Sequence, residues 1–529
     1  MSSADIIIKS SSIFNSIDSI PFSGIVAVSG NRIVYAGSDS KSDKYTGDNT
    51  KIMDFGDCLV IPGIHDAHMH FYMASLYDSK YVYTSFNDTS KEDFIAGLSQ
   101  NANIFPKDRW LIGFGWYHWH WKEAALPDKS DLDTYYPDRP VIMISVDFHT
   151  VWVNSCGIER LGRDTLSDEA KKTGILHEKE AFGACRKVYS EFSFNEECGF
   201  YGNFMKKLNR YGITSVCDMS MMPEPGADFI REDIYEALLA DNKMTCRVNM
   251  YPTLREDLSR PMQMMKKYKG NILRCQGAKQ FFDGVSCSHT AYLAEDYSNA
   301  AFPGDRGFPA IPENEMRSII LNAHRNGIST RVHTIGDQAI HFMLDILDEA
   351  ARIYGKKPEV VHCLEHLENF LPEDIVRSAD SETVFSVQPA HVLIDTLGVE
   401  KDLGAERVKD MWPFRRLIDN GRTLAFGTDC PVVDINPFLG IYNAVTRRSA
   451  FDGKPDGGWH PEDNITLAEA ITAYTAGAAK AANRFDELGT LEEGKLADIA
   501  VLDRNLFELE ASQIPGTKVL LTMMNGEIV

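Results

Sequence analysis

No apolar run in this chain approaches the ~20 consecutive residues that a membrane-spanning helix needs. The opening MSSADIIIKSSSIFNS also lacks the basic-then-apolar order of a secretory leader. Both absences lead to the expectation of a soluble, cytoplasmic protein. Paired cysteines are missing too. The ten cysteines are scattered with no CxxC spacing, which favours reduced thiols over a disulfide framework. Positive charge is scarce, with 54 Lys plus Arg against 76 Asp plus Glu and a formal net charge of −22. A field of that sign repels phosphate backbones and anionic lipid, so the expected partner is a small-molecule substrate, without nucleic acid or membrane.

What is present is length and strand pattern. The 529 residues leave room for an α/β barrel of ~250 residues and more besides. Residues 1–60 read as short strands, with Gly-Asn in SGNRIVYAGS as a hairpin turn, and residues 485–529 return to this style and carry a second turn, Asn-Gly. We therefore expect a small β-sandwich domain built from both chain ends. Between them, over 61–484, short apolar runs alternate with helical patterns. Eight strands are expected to end near VIPGIHDAH, GITSVCDMS, CRVNMYPTL, LRCQGAKQFFDG, ISTRVHTIGD, VVHCLEHL, TVFSVQPAH and LAFGTDCPV, which predicts a (β/α)8 barrel. An inserted subdomain over about 75–208 separates the first two strands, placed where this fold builds its site.

Side chains able to bind metal fall at the C-terminal ends of five of these strands: His68 and His70, Lys279, His333, His366 and Asp429. Residues i and i+2 of a strand share a face, so His68 and His70 can approach one ion. Imidazole and carboxylate donors suit Zn²⁺ and its neighbours.

The segments PGIHDAHMH, GAKQFFDG, RVHTIGD, CLEH, SVQPAH, LAFGTDCPV and the closing GTLEEGKLADIAVLD resemble the amidohydrolase superfamily, in particular its branch of N-substituted formamide deformylase-like hydrolases. That resemblance implies one or two divalent metal ions. His68 and His70 would hold the more buried one, and His333 and His366 the other. Lys279 would be carboxylated to a carbamate between them, and Asp429 would serve as ligand and acid/base. The expected reaction is hydrolysis of an amide C–N bond, since metal coordination lowers the pKa of water from ~15.7 toward ~7. Ester or lactone hydrolysis and deamination are the alternatives on the same site. A decarboxylase or isomerase shares the scaffold, and a non-catalytic metal-binding barrel is the rival of another class. A homodimer is the expected assembly.

The remaining candidates concern the substrate. In SVDFHTVWVNS the resemblance brings His149, and less so Asp147, near the substrate, whereas on local grounds they would cap a turn before a helix starting near Trp152. Trp116 opens the cluster WYHWHW, which either lines a pocket or packs the insertion. His289, in DGVSCSHTA, stands where relatives commonly have arginine, so their substrate preference does not transfer. His65 is expected to pack outside the site. Glu365 is expected to face away from it, with His362 and His366 sharing the opposite face.

Overall fold

The computed structural model describes residues 3–86, 88–118, 121–123, 125–146, 150–221, 228–377 and 383–529. The chain divides into two compact units. One comprises residues 1–71, 205–235 and 243–529, the other 72–204 and 236–242.

In the first unit both chain ends build one sheet. Leu59–Pro62 pairs antiparallel with Ile499–Leu502, and the hydrogen-bonded path continues to Val519–Met524 on one side and to Ile6–Ile13, Phe22–Ser29 and Arg32–Gly37 on the other. The two chain ends, expected as a small β-sandwich, form one eight-stranded hydrogen-bonded sheet. Strand alternation gives it two apolar faces. Ile8, Val26, Val28, Val60 and Ile499 pack on one, Ile7, Ile25 and Ala27 on the other. Both expected hairpin turns are present, at Gly30-Asn31 and at Asn525-Gly526, where φ is +57° and +82° in the latter.

The parallel strands follow. They are β1 (Ile64–Met69), β2 (Ile213–Met219), β3 (Arg247–Tyr251), β4 (Leu273–Cys275), β5 (Gly277–Phe281), β6 (Ser329–Thr334), β7 (Cys363–His366), β8 (Val384–Val387) and β9 (Leu424–Phe426). Nearly all their residues are buried, as expected of strands covered on both faces. The fourth expected strand, LRCQGAKQFFDG, is broken at Gln276. Its first half, β4, pairs with β3 and its second, β5, with β6. Two parallel sheets result, ordered β4-β3-β2-β1 and β5-β6-β7-β8-β9, and isolated parallel bridges join Thr253 to Lys279 and Met69 to Cys430. Helices with one apolar stripe connect the strands. Glu313–Arg325 buries Met316, Ile319, Ile320 and Ala323 and is followed by Gly327 at φ +75°, which ends it. Among the described residues no helix is long and apolar enough to cross a membrane.

The second unit carries a mixed five-stranded sheet, ordered Ile175–His177, Thr150–Val153, Val141–Ser145, Leu111–Trp116, Val82–Thr84. Trp152 lies in a strand, and the next helix, Ser155–Leu161, starts later with Asn154 as its cap. An electrostatic tie marks this unit: Glu196 accepts from Arg109 at 2.7 Å and from Ser193 and Tyr81, while the guanidinium lies over the rings of Tyr81 and Phe192. The hydrogen bond from Arg109 pulls the Glu196 carboxyl down to about 2. A depressed carboxyl stabilises the fold above its unfolded pKa and loses that contribution as pH falls through the folded value. Glu196→Gln is therefore expected to cost on the order of 1 kcal/mol near neutrality, after solvent screening, and nothing below about pH 2. Thermal unfolding from pH 6 to pH 2 checks this, and parallel curves for wild type and variant would refute it.

Candidate metal centre

The end of β1 sets the centre. His68 and His70 are both buried, with ring centroids 5.5 Å apart, and their Nε2 atoms lie 3.4 and 3.1 Å from Asp429 Oδ1. Asp429 reaches them because the strand has ended: at φ +59° the backbone leaves the extended region, and its amide donates to His68 O at 2.7 Å. Close approach is required here, since a Cβ on Gly427 would lie 2.5 Å from the His68 nitrogen. Asp66 fixes the same junction by accepting from the His68 amide and from Thr428.

Each imidazole is held by one nitrogen. His68 Nδ1 meets Glu365 Oε2 at 2.6 Å, His70 Nδ1 donates to Met219 O at 3.0 Å, and His366 Nδ1 donates to Gln388 Oε1 at 2.9 Å. His333 is held the other way round, through Nε2 to Gly284 O at 3.1 Å. Such outer partners fix the tautomer and leave the second nitrogen of each ring with a lone pair. The rings also converge, with His366 centroids 4.9 Å from His68 and 4.4 Å from His333.

Two carboxylates and one amine complete the electrostatics. Burial lowers His68 to about 4 and His333 to about 3, with Lys279 adding to both, and burial also lowers His366 and His391. His68, His333, His366 and His391 are thus neutral. Burial alone would raise Asp429 and Glu365, but the histidines around the first and Arg331 beside the second hold both well below the usual carboxylate range. Lys279 is fully buried, and its Nζ has no hydrogen-bond partner. Burial lowers it to about 8.

Neutral imidazoles around a carboxylate fit a cation. His68 Nε2 and Asp429 Oδ1 are buried without a well-formed hydrogen bond. One ligand atom each from His68, His70 and Asp429 lies within 4.8 Å of the others, and the same holds for His366, His391 and Asp429. Among the described residues, His68, His70, His366, His391 and Asp429 are the donors that meet this geometry, with His333 beside His366 and Lys279 close enough to bear on the same rings.

Several expectations change. Glu365 faces inward, onto His68 and Arg331, because the chain turns sharply after it. Leu367 N donates to Glu365 O at 2.9 Å around His366 at φ +71°, so two successive side chains enter one space. His362 belongs elsewhere, bonded to His324 and Thr330. His65 is buried against Cys217 and Asn249, and burial lowers it to about 3. His289 sits in a loop tie. Its Nδ1 lies 2.8 Å from Asp305 Oδ2, and its ring stacks on Tyr297 at 4.1 Å. Trp116 is a core residue of the second unit, donating to Met143 O and stacked on Trp121. His149 and Asp147 lie outside the described residues. Sequence reasoning overlooked Arg331, Gln388 and His391. A signal existed for the last two, since Gln388 and His391 stand three apart after a strand.

A family model described as Amidohydrolase family matches residues 51–529. The chain belongs to the amidohydrolase family. This member is 29% identical over 545 residues to Protein LONG AFTER FAR-RED 3 of Arabidopsis thaliana, covering 99% of this chain and 91% of that one. It is 23% identical to the N-substituted formamide deformylase of Arthrobacter pascens, over 95% of this chain and 94% of the relative. An uncharacterized metal-dependent hydrolase from Pyrococcus horikoshii shares the fold, with a TM-score of 0.79, 24% identity, and coverage of 96% and 99%.

Proposed function

We propose that this amidohydrolase-family member hydrolyses a carbon–nitrogen bond of an N-acyl or N-formyl amine at a divalent metal centre, with Zn²⁺ as the metal. The observation that carries the reading is a set of four imidazoles, those of His68, His70, His333 and His366. Each is fixed through one nitrogen, and they surround Asp429 beside the unpartnered Lys279. The name of the Arthrobacter relative supports the amide class. The two parallel sheets are the two arcs of a (β/α)8 barrel in this reading, supported by the bridges at Lys279 and Cys430.

A bound divalent ion supplies acidified water at neutral pH and a Lewis acid for a carbonyl oxygen. The protein's own groups do the rest. Asp429, ionised at all working pH values, takes the proton of the attacking water and returns it to the departing nitrogen. Glu365 keeps the His68 proton on Nδ1. Lys279, lowered to about 8, is partly neutral at neutral pH. Its Nζ can add to the carbon of CO2 with loss of one proton, which replaces a buried cation by the anion that a pair of divalent ions needs.

Metal analysis and a substrate panel test the reading together. About two divalent ions per chain are expected by inductively coupled plasma mass spectrometry, and about one or fewer in Lys279→Ala. On N-formyl amines, N-acyl amines, esters, lactones and ring amines, release of amine with the matching carboxylate is expected. Ammonia from ring amines alone, or turnover of esters alone, would overturn the amide assignment. At fixed dissolved CO2, carbamate should form more completely at pH 8.5 than at pH 6.5, because the amine is neutral only above its pKa.

A further inference from the structure

The ligand set implied by the family resemblance leaves out one imidazole of the centre, His391, although its nitrogen lies within ligand distance of His366 and Asp429. His391 follows β8 in a short 3-10 turn, Pro389–Leu393, whose entry residue Gln388 holds His366. Side chains three apart in such a turn eclipse one another. The turn that carries the His366 support therefore also brings His391 to the same place, with its amide donating to Gln388 O at 3.0 Å. The ring is buried, and its Nε2 has no hydrogen-bond partner. Buried polar atoms are rarely left so, and this one is aimed at the reacting carboxylate.

Asp429 divides the surrounding imidazoles. Oδ1 faces the Nε2 atoms of His68 and His70, while Oδ2 faces His366 Nδ1 and His391 Nε2, each at 3.9 Å. The His366 nitrogen on that side is already engaged by Gln388, which leaves His391 Nε2 as the uncommitted group. With a cation taking the Nε2 lone pairs of His68 and His70, His391 Nε2 is left with only Oδ2 opposite it, and there the tautomer carrying its proton on Nε2 is favoured. A hydrogen-bond donor aimed at the carbonyl oxygen adds to what a Lewis acid supplies, since charge develops there in amide hydrolysis. Arg331 does not serve, since its guanidinium is spent on Glu365, Ala67 O and Ser386.

We propose that His391 contacts the substrate, its Nε2–H donating a hydrogen bond to the oxygen of the carbonyl under attack, on the Oδ2 side of Asp429. This role rests on the amide-hydrolase reading above, and its substrate class is a planar carbonyl compound small enough to place that oxygen beside the metal ligands.

The test uses the full-length, metal-loaded protein with His391→Ala and His391→Gln, three readouts being taken on each. Metal content per chain and the melting temperature should match wild type. The kcat on the best amide of the panel should fall by about 10²–10³-fold in the alanine variant, with KM little changed. The glutamine variant, which keeps an N–H donor, should recover a substantial part. Binding of acetohydroxamate, read by titration calorimetry, should weaken by about tenfold in His391→Ala. Loss of metal from both variants would make His391 a ligand and overturn the proposal, as would unchanged kcat and hydroxamate affinity. If wild type holds metal but cleaves no amide, the amide reading fails alone, and hydroxamate affinity then decides the role of His391. A wild-type protein that holds no divalent ion removes both.

Discussion

Asp429→Asn is expected to lower kcat by about 10²–10⁴-fold, the range that a positioned general acid/base contributes, while the protein stays folded and metal remains bound. The substitution keeps the shape of the side chain and removes its charge. His68 and His70 keep their own supports in Glu365 and Met219 O, so their nitrogens remain available to metal. The pH profile separates this role from a merely structural one. Because the surrounding histidines hold the Asp429 carboxyl well below the usual range, its base form persists to acid pH and is lost only as pH falls through that depressed value. An acid limb between pH 5 and 7 in wild type would thus belong to another group and should survive in the variant. Normal kcat in Asp429→Asn would end the proton-transfer assignment.

The second large effect is expected beneath the centre. Arg331 and Glu365 are fully buried and paired, and the guanidinium also donates to Ala67 O at 2.6 Å and to Ser386 Oγ, joining β6, β7, β1 and β8. Removing one partner of such a pair leaves a charge with nothing opposite it, so Arg331→Leu should cost about 3–5 kcal/mol. Glu365→Gln is milder for the fold and sharper for the site. The amide oxygen can still accept from His68 Nδ1, but the charge that makes Nε2 a better donor to metal is gone, and metal affinity should fall about 10–100-fold. Chemical denaturation of the first variant and competitive chelator titration of the second check these values. A wild-type metal affinity in Glu365→Gln would show that the 2.6 Å contact is packing only.

Much of the site is legible in the sequence because strand geometry obeys parity. His68 lies near the end of its strand and His70 directly after it, and Lys279 and His333 lie within theirs, so alternation and the apolar runs suffice to place them. Where the backbone leaves the extended region, parity fails. Glu365 and His366 enter the same space because φ at His366 is positive, and no pattern of residue types announces that turn. Gln276 breaks a run that reads as one strand, since neither of its neighbours signals a change of pairing partner. Arg331 was hidden for another reason. An arginine in an apolar run reads as a helix-side or surface residue, and only its counter-charge on a different strand explains its burial. Trp116 shows the reverse: of the two roles its aromatic cluster left open, packing in the core of the second unit accounts for it, with a small cavity beside it lined by Phe86, Tyr117 and Trp121.

The two parallel sheets are joined by isolated bridges at Thr253–Lys279 and at Met69–Cys430, and both seams adjoin residues of the metal centre. His68 and His70 come from one sheet; Asp429, Lys279, His333 and His366 come from the other. A cation shared by His68, His70 and Asp429 would act as a clasp across the seam as well as a reagent. Occupancy and cohesion are then one equilibrium, with loading adding RT ln(1 + [M]/Kd) to the stability of the fold. Chelation should consequently loosen β1 against Cys430 before it disturbs the chain-end sheet, so that loss of metal is a loss of cohesion and not only of turnover.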